Sequence, residues 1–501
     1  VDTHLWPLAN RELQVGAGTR LVDRHPRFDT HALVALVAIL EVESIAIGRD
    51  FTVVNGFKLE LLHVTNTATE GQWVALAWDN KHRLVVPSYT GAGRIARLTI
   101  PKAGSKDDVK VEVINSTTEV PIGASEGILY AFDSLYLSSN RSNTLRSGLY
   151  RLKDTNGDDK ADVRTRILSG IDSADTHHTA NSFALDPGGA LYFQEGTFHH
   201  TQVETPYGPV KNHNAAAYRF EPRTAKFEVF VSYGFANPWG MTFDRWGQPF
   251  IADASPGQNF WATPFSGRVI FPDKHLTMPQ WIQMRVRPTS GCEFVSSRHF
   301  PSEAQGRYLL NNVIGVQGVL QHTVEEMDSG FAGKEIEPLL LSNDKNFRPV
   351  DMEFGPDGAL YLVDWHEPLI GHLQYSIRDP LRDKTHGRIY RVTYPGNPLL
   401  KPAKIAGASI EALLELLKEP EDRTRQRART ELGSRPVDQV IAALVKWTKA
   451  LNRADLTTVG MIASQSAYAE GEPWLNQVVE YIDGNLDFVD NYFKTKMPAD
   501  L

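Results

Sequence analysis

One cysteine, Cys292, occurs in 501 residues. No disulfide can close within the chain, no CxxCH haem attachment is present, and no thiolate zinc site can be built. No apolar run reaches the ~20 residues that cross a bilayer as a helix. The longest, Ala32–Leu40, reads ALVALVAIL. Long basic runs are also missing and the net charge is −8, so nucleic acid is not expected as a partner. Tryptophan, in contrast, is abundant at 10 copies, which suits a small, neutral or sugar-like partner.

The first fifty residues stand apart. The ALVALVAIL run follows Arg24 and Arg27 and precedes small residues near Ser44 and Gly48, as in a secretory leader, although it lies far from residue 1. Residues 1–50 therefore read either as a displaced signal segment or as a poorly ordered or non-native extension. The first reading implies a periplasmic or secreted bacterial protein.

From Phe51 to Gly396 one theme recurs at intervals of roughly 50 to 60 residues, a spacing that suits four-stranded propeller blades. Each unit pairs an alternating strand, a turn rich in Gly, Asn or Asp, and a second strand rich in Leu, Tyr and Val. The six units open at WVALAWDNKHRLVVPSY, EGILYAFDSLYLSSNR, HHTANSFALDPGGALYFQEG, NPWGMTFDRWGQPFIADAS, CEFVSSRHFPSEAQGRYLLNNVIG and FRPVDMEFGPDGALYLVDW. They predict an all-β six-bladed β-propeller over 51–396, with FTVVNGFKLELLHV completing the last blade. Beyond Pro395 the apolar spacing becomes i, i+3, i+4, i+7. Residues 397–501 are therefore expected to form a small all-α, HEAT-like helical segment, and the chain reads as a piece of a longer protein.

A propeller brings the starts of its inner strands together at one mouth. There the sequence places Gln72, Glu126, His177 with His178, Asn237, Cys292, and Arg348 with Asp351. Loops after the second strands add Tyr89, Asn140, Glu195 with His199 and His200, Asp253, Asn311, and Asp364 with His366. Imidazoles and carboxylates so gathered point to acid–base chemistry or metal binding, with His178, His177, Asn237, Asp364, His366, Glu195 and Glu126 as the catalytic candidates. Arg348, Asp351, Trp239, Trp365, Asp253, His199 and Arg388 are the candidates for holding a ligand. Paired carboxylates among Glu126, Glu195, Asp253 and Asp364 would suit a glycoside hydrolase or lactonase, with Trp239, Trp246 or Trp365 stacking on a sugar. A non-catalytic binding propeller is the bland alternative.

Two further stretches carry charge patterns. DTNGDDKAD presents Asp154, Asn156, Asp158 and Asp162 with the alternation of a calcium loop, but its glycine falls at the fourth position and Thr165 stands where a bidentate glutamate belongs. RDPLRDKTHGR, residues 378–388, could grip an anionic ligand or pair internally.

HTANSFALDPGGALYFQEG, ANPWGMTFDRWGQPFIAD and FRPVDMEFGPDGALYLVDW with HGRIYRV resemble the soluble sugar dehydrogenases of the glucose/sorbosone type. SGCEFVSSRHFP, FANPWG and DRWGQ are closer still to large bacterial membrane-bound dehydrogenases, which join such a propeller to HEAT-like repeats and a cytochrome c domain. The resemblance implies a sugar dehydrogenase-like oxidoreductase acting on a carbohydrate, with His178 as general base, Asn237 beside a pyrroloquinoline quinone, calcium on the quinone carbonyl, and an electron-acceptor protein or domain as partner. Departures are Ala236, where an arginine is expected to hold the cofactor, and Thr197, where an aspartate is expected.

Overall fold

The structure, a computed structural model, describes residues 50–89, 93–116, 118–140, 145–175, 178–368 and 386–451. The leader or extension expected over 1–50 lies outside these residues except for Asp50, as do positions 452–501.

Six sheets form the blades. Blade 1 holds Ala77–Trp78, Leu84–Pro87, Ile95–Thr99 and Lys110–Val113. Blade 2 holds Ile128–Ala131, Ser134–Ser139, Gly148–Lys153 and Val163–Leu168. Blade 3 holds Asn181–Leu185, Leu191–Glu195, Ala216–Glu221 and Lys226–Val231, with the hairpin His200–Thr205/Gly208–His213 inserted between its second and third strands. Blade 4 keeps three strands, Pro238–Phe243, Pro249–Asp253 and Gln258–Trp261. Thr289–Phe294, Tyr308–Asn312, Gly318–Met327 and Gly330–Ser342 make blade 5. Pro349–Phe354, Leu360–Asp364 and Arg388–Thr393 make blade 6.

The chain start fastens the ring twice. Phe51–Val53 pairs with Ser342–Leu340 at the edge of blade 5, and Lys58–Val64 pairs with Thr393–Arg388 as the outer strand of blade 6. The expected closing strand is therefore two strands on two blades.

Local chemistry sets the hairpins. In blades 1, 3 and 4 an aspartate begins the turn between the first two strands and accepts backbone N–H groups with its carboxylate: Asp79 from Lys81 and Arg83, Asp186 from Ala190, Asp244 from Trp246 and Gln248. Such Asx turns are why the sequence repeats Asp at the start of these turns. Blade 2 uses a two-residue turn with Phe132 and Asp133 at φ 50° and 52°, the doubly positive pair that matches strand twist.

Six apolar clusters fill the six gaps between neighbouring blades, for example Ala184, Tyr192, Met241 and Ile251 between blades 3 and 4. The gap between blades 6 and 1 is filled the same way by Trp73, Trp78, Tyr361 and Val363, which closes the ring. Because each blade buries both faces, its second strand, as in Leu84–Val86, Phe250–Ala252 and Leu360–Val363, is apolar on both sides rather than alternating.

Three helices follow among the described residues: α1 (Ile410–Glu415), α2 (Asp422–Gly433) and α3 (Val437–Ala450). Ser409 caps α1 by accepting from Ala412 N–H. The helices share a core of Leu413, Leu414, Ala428, Leu432, Val440 and Leu444. The opposite, charged side of α2 lies across the far end of the propeller axis. Glu431 accepts from Asn80 of blade 1 at 3.1 Å, Gly433 packs on Phe132 of blade 2, and Gln426 donates to Leu185 O of blade 3 at 3.0 Å. Arg423 donates to Glu293 of blade 5 at 2.9 Å, and Arg427 to Phe354 O of blade 6 at 2.8 Å. Among the described residues no helix is long and apolar enough to cross a membrane.

Candidate functional site

At the end of the axis opposite α2, five blades line a cavity of about 40 Å³. Val74 and Tyr89 come from blade 1, Glu126 from blade 2, Asn181 from blade 3, Asn237 and Trp239 from blade 4, and Trp365 from blade 6. Three aromatic rings, two amides and one carboxylate therefore form the floor of the mouth. Tyr89 and Trp365 meet edge to face at 5.4 Å.

His178 stands on the neighbouring loop of blade 3 and is 3% exposed. Its Nδ1 lies 2.9 Å from Asp175 Oδ2. A carboxylate there fixes the tautomer with the proton on Nδ1, so Nε2 carries the basic lone pair. Gly196 makes room for the ring, because a Cβ there would come within 2.8 Å of His178. Thr179, the next residue, donates through Oγ1 to Glu126 Oε2 at 3.0 Å and receives Asn140 Nδ2 at 2.6 Å. Imidazole and carboxylate are thus tied to the same short segment.

Glu195 and His199 lie behind this loop and are fully buried. His199 Nε2 contacts Asp175 O at 3.0 Å, and its Nδ1 lies 3.7 Å from Glu195 Oε1. Thr201 donates to Glu195 Oε2 at 2.7 Å, while burial pushes the Glu195 carboxyl up. These two support Asp175 and His178 from below and do not line the cavity. His200 is exposed on the inserted hairpin and stacks on His213 at 4.4 Å. His177 lies outside the described residues.

Asp253 and Asp364 also play a different part from the one expected. Asp253 accepts Ala236 N–H at 2.8 Å and Asn237 N–H at 2.7 Å. Burial lifts its carboxyl to about 6, against those two hydrogen bonds. Asp364 accepts Arg348 N–H at 2.7 Å and His366 N–H at 2.8 Å, and takes Arg388 Nε at 2.5 Å. Each aspartate ends a second strand and clamps the chain entering its own blade. Arg388 also reaches Asp344 at 2.8 Å, and His366 sits 3.8 Å from Asp344, so Arg388 and His366 belong to an ion-pair network beside the mouth. Of the cationic stretch 378–388, residues 378–385 lie outside the described residues.

Asp351 and Cys292 are deeper than their sequence positions imply. Asp351 bridges two blades by accepting Leu76 N–H at 2.9 Å, and burial pushes its carboxyl up to about 7. Cys292 packs in the gap between blades 4 and 5, its thiol pushed up to about 12 by burial.

The loop expected to hold calcium turns its oxygens onto itself. Asp154 accepts Gly157 and Asp159 N–H, Asn156 accepts Asp158 N–H, Asp158 accepts Lys160 N–H, and Asp162 accepts Thr155 N–H and Oγ1. Among the described residues no three His, Cys, Asp or Glu side chains converge as a metal would need. Short oxygen side chains spaced for an ion are spaced equally well for consecutive Asx turns.

The candidate missing from the sequence reading is Asp175, which the structure places 2.9 Å from His178. Its signal was present: Asp-x-x-His puts a carboxylate three residues before an imidazole, the reach of one turn.

Comparisons with known proteins bear on the same segment. The family described as a domain of unknown function, DUF7133, matches residues 146–289 and 283–396, together half of the chain. No curated protein matches the sequence. Among solved structures, a glucose dehydrogenase is 17% identical with a TM-score of 0.45, over 67% of this chain and 98% of its own. The PQQ-bound aldose sugar dehydrogenase of Streptomyces coelicolor is 14% identical with a TM-score of 0.44, over 68% and 99%. A gluconolactonase of Xanthomonas campestris is 15% identical with a TM-score of 0.38, over 68% and 91%. At these values none of them assigns an activity to this chain.

Proposed function

The chain belongs to the DUF7133 family, and we propose that it acts on a carbohydrate-type alcohol at the propeller mouth, with His178 as general base. The observation that carries this reading is the 2.9 Å contact between His178 Nδ1 and Asp175, joined through Thr179 to the carboxylate of an aromatic-floored cavity. Aromatic faces suit the apolar faces of sugar rings, and amides and a carboxylate suit their hydroxyls; the cavity of about 40 Å³ is a floor on which a sugar would rest and does not enclose one. In the oxidation of such an alcohol, His178 Nε2 would take the hydroxyl proton, and the hydride would need an organic hydride-accepting cofactor brought against the substrate carbon by a partner protein or domain.

The quinone implied by the resemblance does not fit the described residues. That cofactor is a tricarboxylate, whereas the cavity wall includes Glu126 and neither lysine nor arginine. Arg388 is held by Asp364 and Asp344, Arg348 turns Nη1 onto Phe347 O at 2.9 Å, and position 236 is alanine. No step is therefore routed through the quinone, and the acceptor is left to a partner protein or domain.

The shortage of cations among the described residues favours a second reading, in which His178 activates water to open a sugar lactone. Glycoside cleavage is disfavoured because it needs two carboxylates at the sugar. Asp253 and Asp364 are engaged by backbone N–H groups, leaving Glu126 as the one carboxylate on the wall among the described residues.

Purified protein tested with a panel of aldoses plus an artificial electron acceptor, and with sugar lactones in parallel, separates these readings. Turnover in one arm that His178→Ala abolishes supports that arm. No turnover in either arm, with no sugar-induced rise in melting temperature, sinks both.

A further inference from the structure

A second cavity, of about 490 Å³, opens away from the mouth, at the far ends of blades 6 and 1. One wall is propeller: Trp78, Ile100 and Tyr361. The other is the connector that leads towards α1, with Leu399 and Leu400. This volume falls in the range of sites for small organic ligands, and nothing in the chemistry at the mouth uses it.

The charge at the cavity indicates what would enter. Lys102 and Lys401 line it, and neither has an acidic partner among the described residues. The carboxylate on the wall, Asp357, is already engaged: it accepts the Tyr361 hydroxyl at 2.9 Å and Ala359 N–H at 3.2 Å, and lies 4.0 Å from Arg391. A cavity with apolar walls and two ammonium groups at its rim is complementary to an amphipathic anion.

We propose that this cavity binds a small amphipathic carboxylate, its apolar body between Trp78, Ile100 and Leu399 and its carboxylate at Lys102 and Lys401. The site is independent of the reading given to the mouth. Trp78 packs edge to face on Tyr361 at 4.7 Å, so an aliphatic chain entering there changes the surroundings of a tryptophan.

The test titrates the full chain with decanoate and with decanol, following tryptophan fluorescence and calorimetry. Decanoate is expected to saturate one site at least tenfold more tightly than decanol. Lys102→Glu with Lys401→Glu, two exposed positions, is expected to weaken decanoate at least tenfold, and Ile100→Trp to block both ligands by filling the chamber. Equal affinity for the two ligands, no saturable binding, or binding untouched by Ile100→Trp would each overturn the proposal. Because these readouts do not involve His178, they stand or fall separately from activity at the mouth.

Discussion

Replacing Arg423 by methionine tests whether α2 is a working part of the propeller. Arg423 lies at the far end of the axis with Nε 2.9 Å from Glu293 Oε2 and 3.9 Å from Glu353 Oε1. Glu293 is 4% exposed and sits on an inner strand. Burial already pushes its carboxyl up, and Arg423 is the main group opposing that shift. Removing the guanidinium leaves a buried carboxylate without its counter-ion, a loss of about 3–5 kcal/mol. For a chain of this size that corresponds to a fall of roughly 5 °C in melting temperature. The deficit has a definite pH dependence. Without Arg423 the folded-state value of Glu293 rises further, so protonation relieves the strain and the gap between variant and parent narrows as pH falls towards 4. Adding Glu293→Gln to the variant is expected to restore most of the loss. Chemical denaturation at pH 4.5 and 7.5 measures all three proteins. A deficit below about 1 kcal/mol, or one equal at both pH values, would refute the assignment of α2 as an electrostatic closure of the axis.

Asp351 gives the second expectation. Its folded value of about 7, against 3.8 for the free side chain, means its contribution is full below pH 4 and is lost as pH rises through 7, a change of about 4 kcal/mol. Asp351→Asn should flatten that part of the stability profile, and parallel profiles for the two proteins would contradict the burial argument. Asp175→Asn should lower turnover about a hundredfold or more by favouring the wrong imidazole tautomer, with the denaturation midpoint little changed; undiminished turnover removes Asp175 from the site. Gly240 has φ +125°, and a Cβ there would lie 2.5 Å from Ser290 O. Gly240→Ala should therefore cost about 3 kcal/mol or more, read as a shift in the urea midpoint, and a neutral result would show that neighbouring inner strands can move apart.

The propeller was legible because its repeat is written in turn chemistry as well as in apolar pattern. Asp79, Asp186 and Asp244 begin equivalent turns in three blades, and each bonds the backbone that follows. The same regularity misled at Asp253 and Asp364. Both close the second strand of a blade, in FIAD and YLVD, and residues that recur at one place in a repeat are serving the repeat. His178, on which the proposed function rests, has no counterpart at that place in the other blades. The role of α2 could not be read from spacing, because its apolar stripe identifies only its contacts with α1 and α3. The arginines that meet the propeller, Arg423 and Arg427, look in sequence like an ordinary solvated face. Their partners Glu293 and Glu353 lie more than seventy positions earlier in the chain.

Because residues 51–64 are sewn into blades 5 and 6, the first-made part of the ring finds its partners only once Leu340–Ser342 and Arg388–Thr393 have been made. Two short β-segments, one with Phe51 and Val53 and one with Leu59 and Leu61, must wait unpaired until then. Assembly is then a last-stitch event, and a nick just after Val64 would leave every blade present but the circle unlocked.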